Sequence, residues 1–504
     1  MFRNISFSLG LICLGVLLHA AGRPNIIFIL TDDQGYGDLS AHGNPVLKTP
    51  NLDRLRSESV RFEDFHVSPT CSPTRSALLT GRHEFKNGVT HTILERERLT
   101  LKATTFPQLL QKAGYRTGIF GKWHLGDEAE YQPNRRGFDE VYIHGAGGIG
   151  QSYPGSCGDA PGNSYYGPWI LHNGKFEKTE AYCTDAFFSQ ATRWIEGEVS
   201  AKRSFLAWIA TNAPHGPYNA RPEDAALYEG KGLGKDTEHF FGMIHNIDQN
   251  VGRLLARLDV LGVAEDTLVV FMNDNGGTAG TKVFNAGMRA QKGSPFLGGT
   301  RAMSFWRWKG KFAPAEVRQL TAHVDVFRTM VDVAGAVIPS SEVQSQVEGR
   351  SLLPLLSGGN AEWPDRVLFT HVGRWGNMQK GADPESGKLQ QTSVRTNRWH
   401  LVSALPGAGL PAAKAATKGA APKAQKGVAK AKGQPAQPVW MLFDVSKDYG
   451  ETTDVAAEHP EVVKDLIAKH DAWWNECRPL MVNEGAVGPA ENPFKVLFRQ
   501  QVGK

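Results

Sequence analysis

Cysteine is scarce in this sequence, and positive charge is in excess only within one short segment. The 504-residue chain has 5 cysteines and a formal net charge of +5. Six lysines and no acidic residue lie between residues 410 and 438, which leaves a net charge of −1 for the rest of the chain. No aromatic residue is interleaved with these lysines, so the stacking and phosphate-contact pattern of a nucleic-acid-binding protein is missing.

Long apolar runs are also scarce, and the one candidate lies at the N-terminus. Residues 5–18 are almost wholly apolar, Arg3 precedes them, and small residues follow at 20–22. This pattern predicts a secretory signal peptide at residues 1–21, and therefore export to the periplasm or the cell exterior. An uncleaved anchor is the alternative, although the run is shorter than the roughly 20 residues that span a bilayer. We expect no membrane span in the mature chain.

The five cysteines have different predicted roles. Cys13 lies in the predicted signal peptide, and the other four lie in the mature chain. Cys157 and Cys183 bracket a stretch rich in glycine, proline and aromatic residues, which predicts a loop-closing disulfide in an exported protein. Cys477 is interpreted as a small buried apolar residue. Cys71 is left without a partner, and an unpaired thiol in an exported chain usually has a chemical reason.

Four short apolar runs predict buried strands, and each run ends at a polar cluster. The runs are 25–30, 116–120, 204–210 and 267–272, and they stop before Thr31-Asp32-Asp33, Gly121-Lys122-Trp123-His124, Thr211-Asn212-Ala213-Pro214-His215 and Asn273-Asp274-Asn275. In an open α/β sheet, ligands bind beyond the carboxyl ends of the strands. We therefore expect these four segments to bring carboxylates, amides, a lysine and two histidines to one place.

Helical patterns alternate with these runs, which predicts a layered α/β domain. They cover 51–59, 106–113 and 237–261. Beyond residue 359 the pattern changes to short strands and a helix near 460–477. We therefore expect a catalytic domain at 22–359, followed by a smaller α+β domain at 360–504.

The lysine-rich segment at 410–438 lies between two strand-like pieces, so it reads as an enlarged hairpin connection. Its alanine, glycine, proline and lysine composition is too polar to bury an apolar core, which predicts a disordered loop. An alternative is electrostatic attachment to sulfated polysaccharide or to the cell envelope.

The residues 69–82, PTCSPTRSALLTGR, carry the most specific pattern in the chain. Cys71 and Arg75 stand in a Cys-x-Pro-x-Arg sequence followed by an apolar pair and Thr-Gly. Pro73 is expected to open a helix whose free N–H groups face an anion. The motif resembles that of the formylglycine-dependent sulfatases of the alkaline phosphatase superfamily, and the resemblance extends from residue 25 to about 480. Without it, Cys71 could simply pack at a helix start.

The resemblance implies a fold, a cofactor set and a reaction. The fold would be an alkaline-phosphatase-like α/β/α sandwich with a large mixed sheet, plus a smaller C-terminal α+β domain with an antiparallel sheet. A maturation enzyme would oxidise Cys71 to formylglycine (3-oxoalanine), whose hydrate attacks the sulfur of a sulfate monoester and later expels sulfate. The implied ligands of one calcium ion (Ca²⁺) are Asp32, Asp33, Asp274 and Asn275, joined by an oxygen atom of the formylglycine made from Cys71. An all-oxygen set suits this hard ion, although paired aspartates at a strand end are as often helix caps.

The resemblance also implies roles for the cationic residues. Residues 114–126 match the second family signature. By resemblance, Arg75 and Lys122 hold the formylglycine hydrate and its sulfate, and His124 is the base that opens the sulfate intermediate. His215 and Lys292 match the pair that contacts the bridging oxygen, and one of them would protonate the departing alcohol. Phe120 is larger than the small or β-branched residue that is usual at its position in the second signature. Two other departures from the family put the hydrogen bonds around the ligands in doubt. These are Leu297, where an acidic residue is common, and Asn273, where serine is frequent.

The substrate is expected to be a sulfated glycan or an aryl sulfate. Aromatic residues among glycines and prolines predict either one wall of a carbohydrate subsite or a self-packed loop. They are Tyr153, Tyr165, Tyr166 and Trp169. His144 is expected either to reach the substrate or to be structural. A phosphonate or phosphate ester hydrolase and a glycan-binding pseudoenzyme are the rival interpretations, and the sequence indicates neither the sugar nor the oligomeric state.

Overall fold

The computed structural model describes residues 23–358, 362–376, 379, 381–405 and 438–503. The predicted signal peptide and nearly all of the predicted lysine-rich loop lie outside the described residues. Sixteen strands and twelve α-helices are present in the described part. None of the helices in these ranges combines the length and the apolar character that crossing a bilayer requires.

The strands are β1 (Asn25–Thr31), β2 (Val60–Phe62), β3 (Phe65–His66), β4 (Arg116–Lys122), β5 (Glu140–His144), β6 (Trp169–His172), β7 (Lys175–Lys178), β8 (Phe205–Ala210), β9 (Thr267–Asn273), β10 (Ser304–Trp308), β11 (Ala315–Val317), β12 (Thr321–Ala322), β13 (Leu368–His371), β14 (Thr392–Arg395), β15 (Trp399–Ala404) and β16 (Val439–Asp444). The α-helices are α1 (Pro50–Ser57), α2 (Cys71–Thr80), α3 (Phe106–Lys112), α4 (Cys183–Ser200), α5 (Pro222–Ala225), α6 (Lys235–Val260), α7 (Leu297–Thr300), α8 (Asp325–Val333), α9 (Ser341–Gln346), α10 (Leu353–Leu356), α11 (Pro460–Cys477) and α12 (Pro493–Val502).

Ten of these strands form one large mixed sheet in the order β11-β2-β10-β9-β1-β8-β4-β5-β6-β7. The central strands β9, β1, β8, β4 and β5 are parallel, whereas β10 and β6 run antiparallel to their neighbours β9 and β5. The four predicted apolar runs are confirmed as β1, β4, β8 and β9. Because these strands are adjacent and parallel, the polar clusters that follow them lie at the same edge of the sheet.

Helices cover both faces of the large sheet, which confirms the α/β/α sandwich. Along β1, Ile27 and Ile29 face one apolar core, which α4 and α6 complete. Ile26 and Phe28 face a second core, to which α2, α3 and α8 contribute. The alternation follows from the two-residue period of a strand. Burial on both faces explains why the strand is continuously apolar.

The smaller sheet is antiparallel, in the order β13-β14-β15-β16, as predicted for the C-terminal region. Leu466 of α11 packs on one of its faces, and Val402 and Phe443 of the other face join the core of the large sheet. The last helix, α12, lies on the edge of the large sheet, where Phe498 packs against Phe176. The domain boundary at residue 360 stays a prediction.

The predicted disulfide between Cys157 and Cys183 is wrong, because both thiols are free and buried. The Cys183 thiol, at the start of α4, donates to Asn212 Oδ1 at 3.4 Å. The backbone of Cys157 instead donates to Glu97 Oε1 at 2.7 Å. Burial raises the pKa of each thiol well above its usual range. The spacing of the two residues carried no information on where their side chains point.

Candidate active site

Cys71 stands at the first position of α2, a helix whose residues are all buried. The helix begins two residues earlier than predicted, and Pro73 lies inside its first turn. Proline is tolerated there because the first N–H groups of a helix have no helical partner. The free N–H groups favour an anion at this point. Burial raises the pKa of the Cys71 thiol, but Lys122 and Lys292 more than offset this effect and lower the pKa below its usual value.

His124 presents one ring nitrogen to Cys71. Its Nε2 lies 2.9 Å from the carbonyl oxygen of Thr92, and because a carbonyl only accepts, Nε2 carries the proton. Nδ1 is therefore the unprotonated nitrogen, and it lies 3.7 Å from Cys71 Sγ and 3.2 Å from Ser72 Oγ. Burial and the charge of Lys122 hold the pKa of His124 well below its usual value. The ring is thus a neutral proton acceptor aimed at residue 71.

Two glycines make room for the histidines of the site. A Cβ atom on Gly147 would lie 2.9 Å from His124 Cε1, and one on Gly148 would lie 2.8 Å from His215 Nδ1. Both distances are shorter than carbon and nitrogen atoms tolerate without displacement. The loop that follows β5 can therefore lie directly against the two rings only because these positions lack side chains.

Buried cations and carboxylates form a network behind Cys71. Lys122 is the last residue of β4, and its Nζ donates to Asp32 Oδ2 at 2.5 Å. Arg75 donates from Nε and Nη2 to Asp274 Oδ2 at 3.1 and 2.8 Å, and its Nη2 lies 3.8 Å from Asp32 Oδ2. Burial alone would raise the pKa of Asp32, but Lys122 and the other nearby cations hold it well below its usual range.

The oxygen atoms predicted to bind a cation converge in the same region. Asn275 Nδ2 donates to Asp33 Oδ1 at 3.0 Å, and the Asp33 backbone N–H donates to Asp274 Oδ1 at 3.3 Å. Asp32 Oδ1 and Asn275 Oδ1 are buried without a hydrogen-bond partner among the described residues. Burial and the Asp32 carboxylate raise the pKa of Asp274 above its usual range. Clustered carboxylates with orphaned oxygens fit a hard divalent cation.

His215 and Lys292 approach this cluster from the solvent side. Lys292 Nζ contacts Asp33 Oδ1, and His215 Nε2 lies 3.8 Å from Asp33 Oδ2. Ligand atoms of Asp32, Asp33 and His215 lie within 4.8 Å of one another. Burial lowers the pKa of Lys292, but Asp33 and the neighbouring anionic groups raise it above its usual range. The structure thus brings together all of the predicted catalytic and metal-binding residues.

The site opens into a cavity of about 360 Å³. Its lining includes Cys71, His124, His215 and Lys292, together with Thr92, Gln151, Tyr153 and Arg374. Sequence reasoning missed Thr92, Gln151 and Arg374. They belong to loops that carry no recognisable motif.

Of the aromatic residues predicted to form a carbohydrate wall, Tyr153 lines the cavity. Tyr165 is fully buried, and its hydroxyl lies 2.8 and 2.6 Å from the carbonyl oxygens of Asn212 and His215, which share its one proton, so it positions the loop that carries His215. Trp169 packs edge-to-face on Phe498 with ring centroids 5.3 Å apart. The wall hypothesis is therefore wrong for Tyr165 and Trp169.

Tyr166 and His144 also have structural partners. The Tyr166 hydroxyl donates to the carbonyl oxygen of Ala220 at 2.6 Å. His144 is fully buried and stacks on Phe187 with ring centroids 6.2 Å apart. Neither residue lines the cavity, so the structural alternative holds for both.

Hydrogen bonds compensate both departures from the family pattern. The backbone N–H of Leu297 donates to Glu451 Oε2 at 2.8 Å, so a carboxylate from the C-terminal region stands at the start of α7. Asn273 accepts from the Met303 backbone N–H at 2.6 Å and donates to the Asn275 carbonyl oxygen at 2.9 Å. Asn273 therefore ties the loop that carries Asp274 to Met303, whereas the Leu297 hydrogen bond links α7 to the C-terminal region.

Comparison with known proteins gives a consistent result. A family model described as Sulfatase matches residues 24–336. The chain is 32% identical over 387 residues to N-acetylgalactosamine-6-sulfatase of Canis lupus familiaris, covering 71% of this chain and 70% of that protein. It is 29% identical over 544 residues to arylsulfatase G of Rattus norvegicus, covering 96% and 94%. The crystal structure of Ps i-CgsB with k-i-k-neocarrahexaose has a TM-score of 0.73 and 26% identity, covering 95% and 98%.

Proposed function

The chain belongs to the sulfatase family of sulfate ester hydrolases, and on this premise we propose that it is exported and removes sulfate from glycans, using a formylglycine made from Cys71 and a calcium ion. The observation that carries the proposal is the convergence of Arg75, Lys122 and His124 on residue 71, which lines a cavity. A maturation enzyme that acts on the Cys71 motif is part of the proposal.

Residue 71 is proposed as the nucleophile. Cys71 Sγ stands in for the oxygen atoms of the modified residue, which as a hydrated aldehyde would supply a hydroxyl group to attack sulfur. Arg75 and Lys122 provide the positive charge next to it, both with side chains at most 2% exposed. In so dry a site their attraction for a sulfate oxyanion is much stronger than in water.

The residues proposed to hold calcium are Asp32, Asp33, Asp274, Asn275 and residue 71. The ion would polarise a sulfate oxygen and lower the pKa of the attacking hydroxyl. The two orphaned oxygens, Asp32 Oδ1 and Asn275 Oδ1, support this assignment because a bound cation would satisfy them.

Proton transfer is assigned to the histidines and to Lys292. His124 Nδ1 would take a proton from residue 71, since its other nitrogen is committed to the carbonyl of Thr92. His215 and Lys292 line the cavity beside Cys71, where the bridging oxygen of the ester would lie. One of these two cations would protonate the departing alcohol.

A glycan is the proposed substrate because two of the compared proteins are named for sulfated sugars or bound to them. The canine relative is an N-acetylgalactosamine-6-sulfatase, and Ps i-CgsB was solved with a neocarrahexaose. The tyrosine ring of Tyr153 on the cavity wall offers a flat apolar face that suits a sugar ring.

The test is to compare kcat/KM for 4-nitrophenyl sulfate with kcat/KM for the matching phosphate and phosphonate esters. The mass of the tryptic peptide that contains Cys71 is measured on the same sample. We expect preference for sulfate, a peptide mass changed from that of the free thiol, and loss of activity in Cys71→Ala. Cys477→Ala, a buried cysteine in another apolar cluster, is the control and should retain activity. Preference for phosphorus would favour an ester hydrolase of that class, and an unmodified Cys71 in active protein would refute the mechanism.

A further inference from the structure

Arg374 extends the candidate active site into the C-terminal region. It follows β13 of the small sheet by three residues, and it lines the same cavity as Cys71 and Lys292. The proposed mechanism gives it no role, because Arg75, Lys122, His215 and Lys292 already surround the position of the scissile sulfate.

The backbone holds Arg374 in one place. Its φ of 64° lies in the left-handed region, where non-glycine residues are uncommon. The backbone N–H of Arg374 donates to the Thr90 carbonyl at 3.3 Å, and the next residue, Trp375, is buried with its indole N–H donating to Glu484 Oε2 at 2.8 Å. The guanidinium of Arg96 stacks 4.4 Å above the same indole ring. Backbone and side-chain contacts on both sides of this position thus fix where the Arg374 side chain begins.

Among the described residues, the charge of Arg374 has no anionic counterpart. A guanidinium has five N–H donors, yet the one hydrogen bond from the side chain runs from Nη2 to Thr92 Oγ1 at 3.2 Å. Its Nε is buried without a partner, and no carboxylate of a described residue lies within salt-bridge distance. By contrast, two arginines that follow Thr92 in the sequence are paired with carboxylates. Arg96 Nε lies 3.1 Å from Glu484 Oε1, and Arg98 contacts Glu128.

We propose that Arg374 binds a second anionic group of the substrate, either a further sulfate ester or a carboxylate on the glycan. The inference rests on the proposed function, because it assumes that the sulfate to be cleaved lies at Cys71. An unpaired, partly buried cation is costly to keep, and an oxyanion from the ligand would remove that cost. The planar guanidinium matches sulfate and carboxylate oxygens with two parallel hydrogen bonds.

A purely structural role for Arg374 would have a different signature. Thr92 accepts the Arg374 hydrogen bond through its side chain and the His124 hydrogen bond through its carbonyl. If Arg374 only held Thr92 in place, its loss would disturb His124 and weaken every substrate equally. If it binds an anion, its loss changes the ratio of affinities between substrates with and without the second charge.

The experiment measures binding by calorimetry in a Cys71→Ala background, where neither maturation nor turnover is needed. The probes are N-acetylgalactosamine 6-sulfate, its 4,6-disulfate, and a disaccharide of glucuronate with N-acetylgalactosamine 6-sulfate. We expect one dianionic probe to bind roughly 10- to 100-fold more tightly than the monosulfate. Arg374→Gln should abolish this ratio, and Arg374→Lys should restore part of it. Arg318→Gln, which removes the same charge at a side chain 81% exposed, is the control and should preserve the ratio.

Comparison of the two dianionic probes identifies whether Arg374 recognises a second sulfate ester or a carboxylate. An equal affinity for all three probes in the parent protein, or a ratio that survives in Arg374→Gln, would overturn the inference. Failure of the wild-type chain to hydrolyse 4-nitrophenyl sulfate would count against the proposed function instead. The binding ratio is measured independently of hydrolysis, so the two failures are distinguishable.

Discussion

The ion pair between Lys122 and Asp32 is expected to contribute a large interaction energy to folding stability, because neither side chain is exposed to solvent. The perturbation is Lys122→Met, a residue of similar length without charge. It leaves the Asp32 carboxylate buried, with Oδ1 already unpartnered and the nearest other cation, Arg75 Nη2, 3.8 Å from Oδ2. Removing one partner of a buried pair typically costs about 3–5 kcal/mol. We expect about 3 kcal/mol here, because Arg75 retains part of the compensation.

A double-mutant cycle with Asp32→Asn isolates the pair. The free energy of unfolding is measured in urea with a chelator present, so that no bound cation replaces the lost charge. If each single variant loses about 3 kcal/mol because the other charge is left unpaired, the double variant should lose about the same amount, which corresponds to a coupling of about 3 kcal/mol.

A surface pair of the same chemistry provides the matched control. Lys469 and Asp465 lie one helical turn apart on α11, and Lys469 Nζ is 2.6 Å from Asp465 Oδ2. Their side chains are 45% and 58% exposed. Their cycle should give less than about 0.5 kcal/mol. A Lys122–Asp32 coupling no larger than that of the surface pair would refute the argument that burial makes this contact strong.

Two further predictions concern calcium and pH. Calcium at one hundred times its Kd should stabilise the chain by about 2.7 kcal/mol, measured as a rise in Tm relative to chelated protein. Asp33→Asn should abolish this rise, whereas the control Asp236→Asn, at an exposed residue, should keep it. A rise that persists in Asp33→Asn would contradict the assignment of Asp33 as a calcium ligand. Burial raises the pKa of Asp127 to about 7, so the folded chain holds more protons than the unfolded chain between about pH 4 and 7, and stability falls as pH rises through that range. Asp127→Asn should therefore raise the free energy of unfolding, measured in urea and relative to the wild type, more at pH 8 than at pH 5. An equal effect at both pH values would show that the pKa of the Asp127 carboxyl is not raised.

Much of the fold follows from features that are local in sequence. The continuous apolar runs identified β1, β4, β8 and β9 to within two residues, because strands buried on both faces need apolar residues at every position. Helix α11 was placed at its observed bounds. The sequence predicts that α2 starts at Pro73, whereas the helix starts at Cys71. The prediction is two residues late because proline is favoured at the first helical position but is also tolerated two residues later.

Residues that reach the site through tertiary contacts were not predictable. Arg374 lines the cavity because the small sheet packs beside the large one, and its short segment has no motif. Thr92 fixes the tautomer of His124 through a backbone carbonyl, a group that every residue possesses. Tyr165 and Trp169 looked alike in sequence, yet one buries its hydroxyl beneath His215 and the other packs on α12.

The sequence by itself determined the family, the layered architecture and the proposed set of reactive residues. These are encoded in short motifs and in apolar periodicity, and strand ends of a parallel sheet bring such motifs to one edge. Only the tertiary structure decided which nitrogen of His124 faces Cys71, that Cys157 and Cys183 do not pair, and that Arg374 stands in the cavity wall with no carboxylate of the described residues beside it. Those properties depend on the direction of individual side chains, which is set by packing between segments distant in the chain.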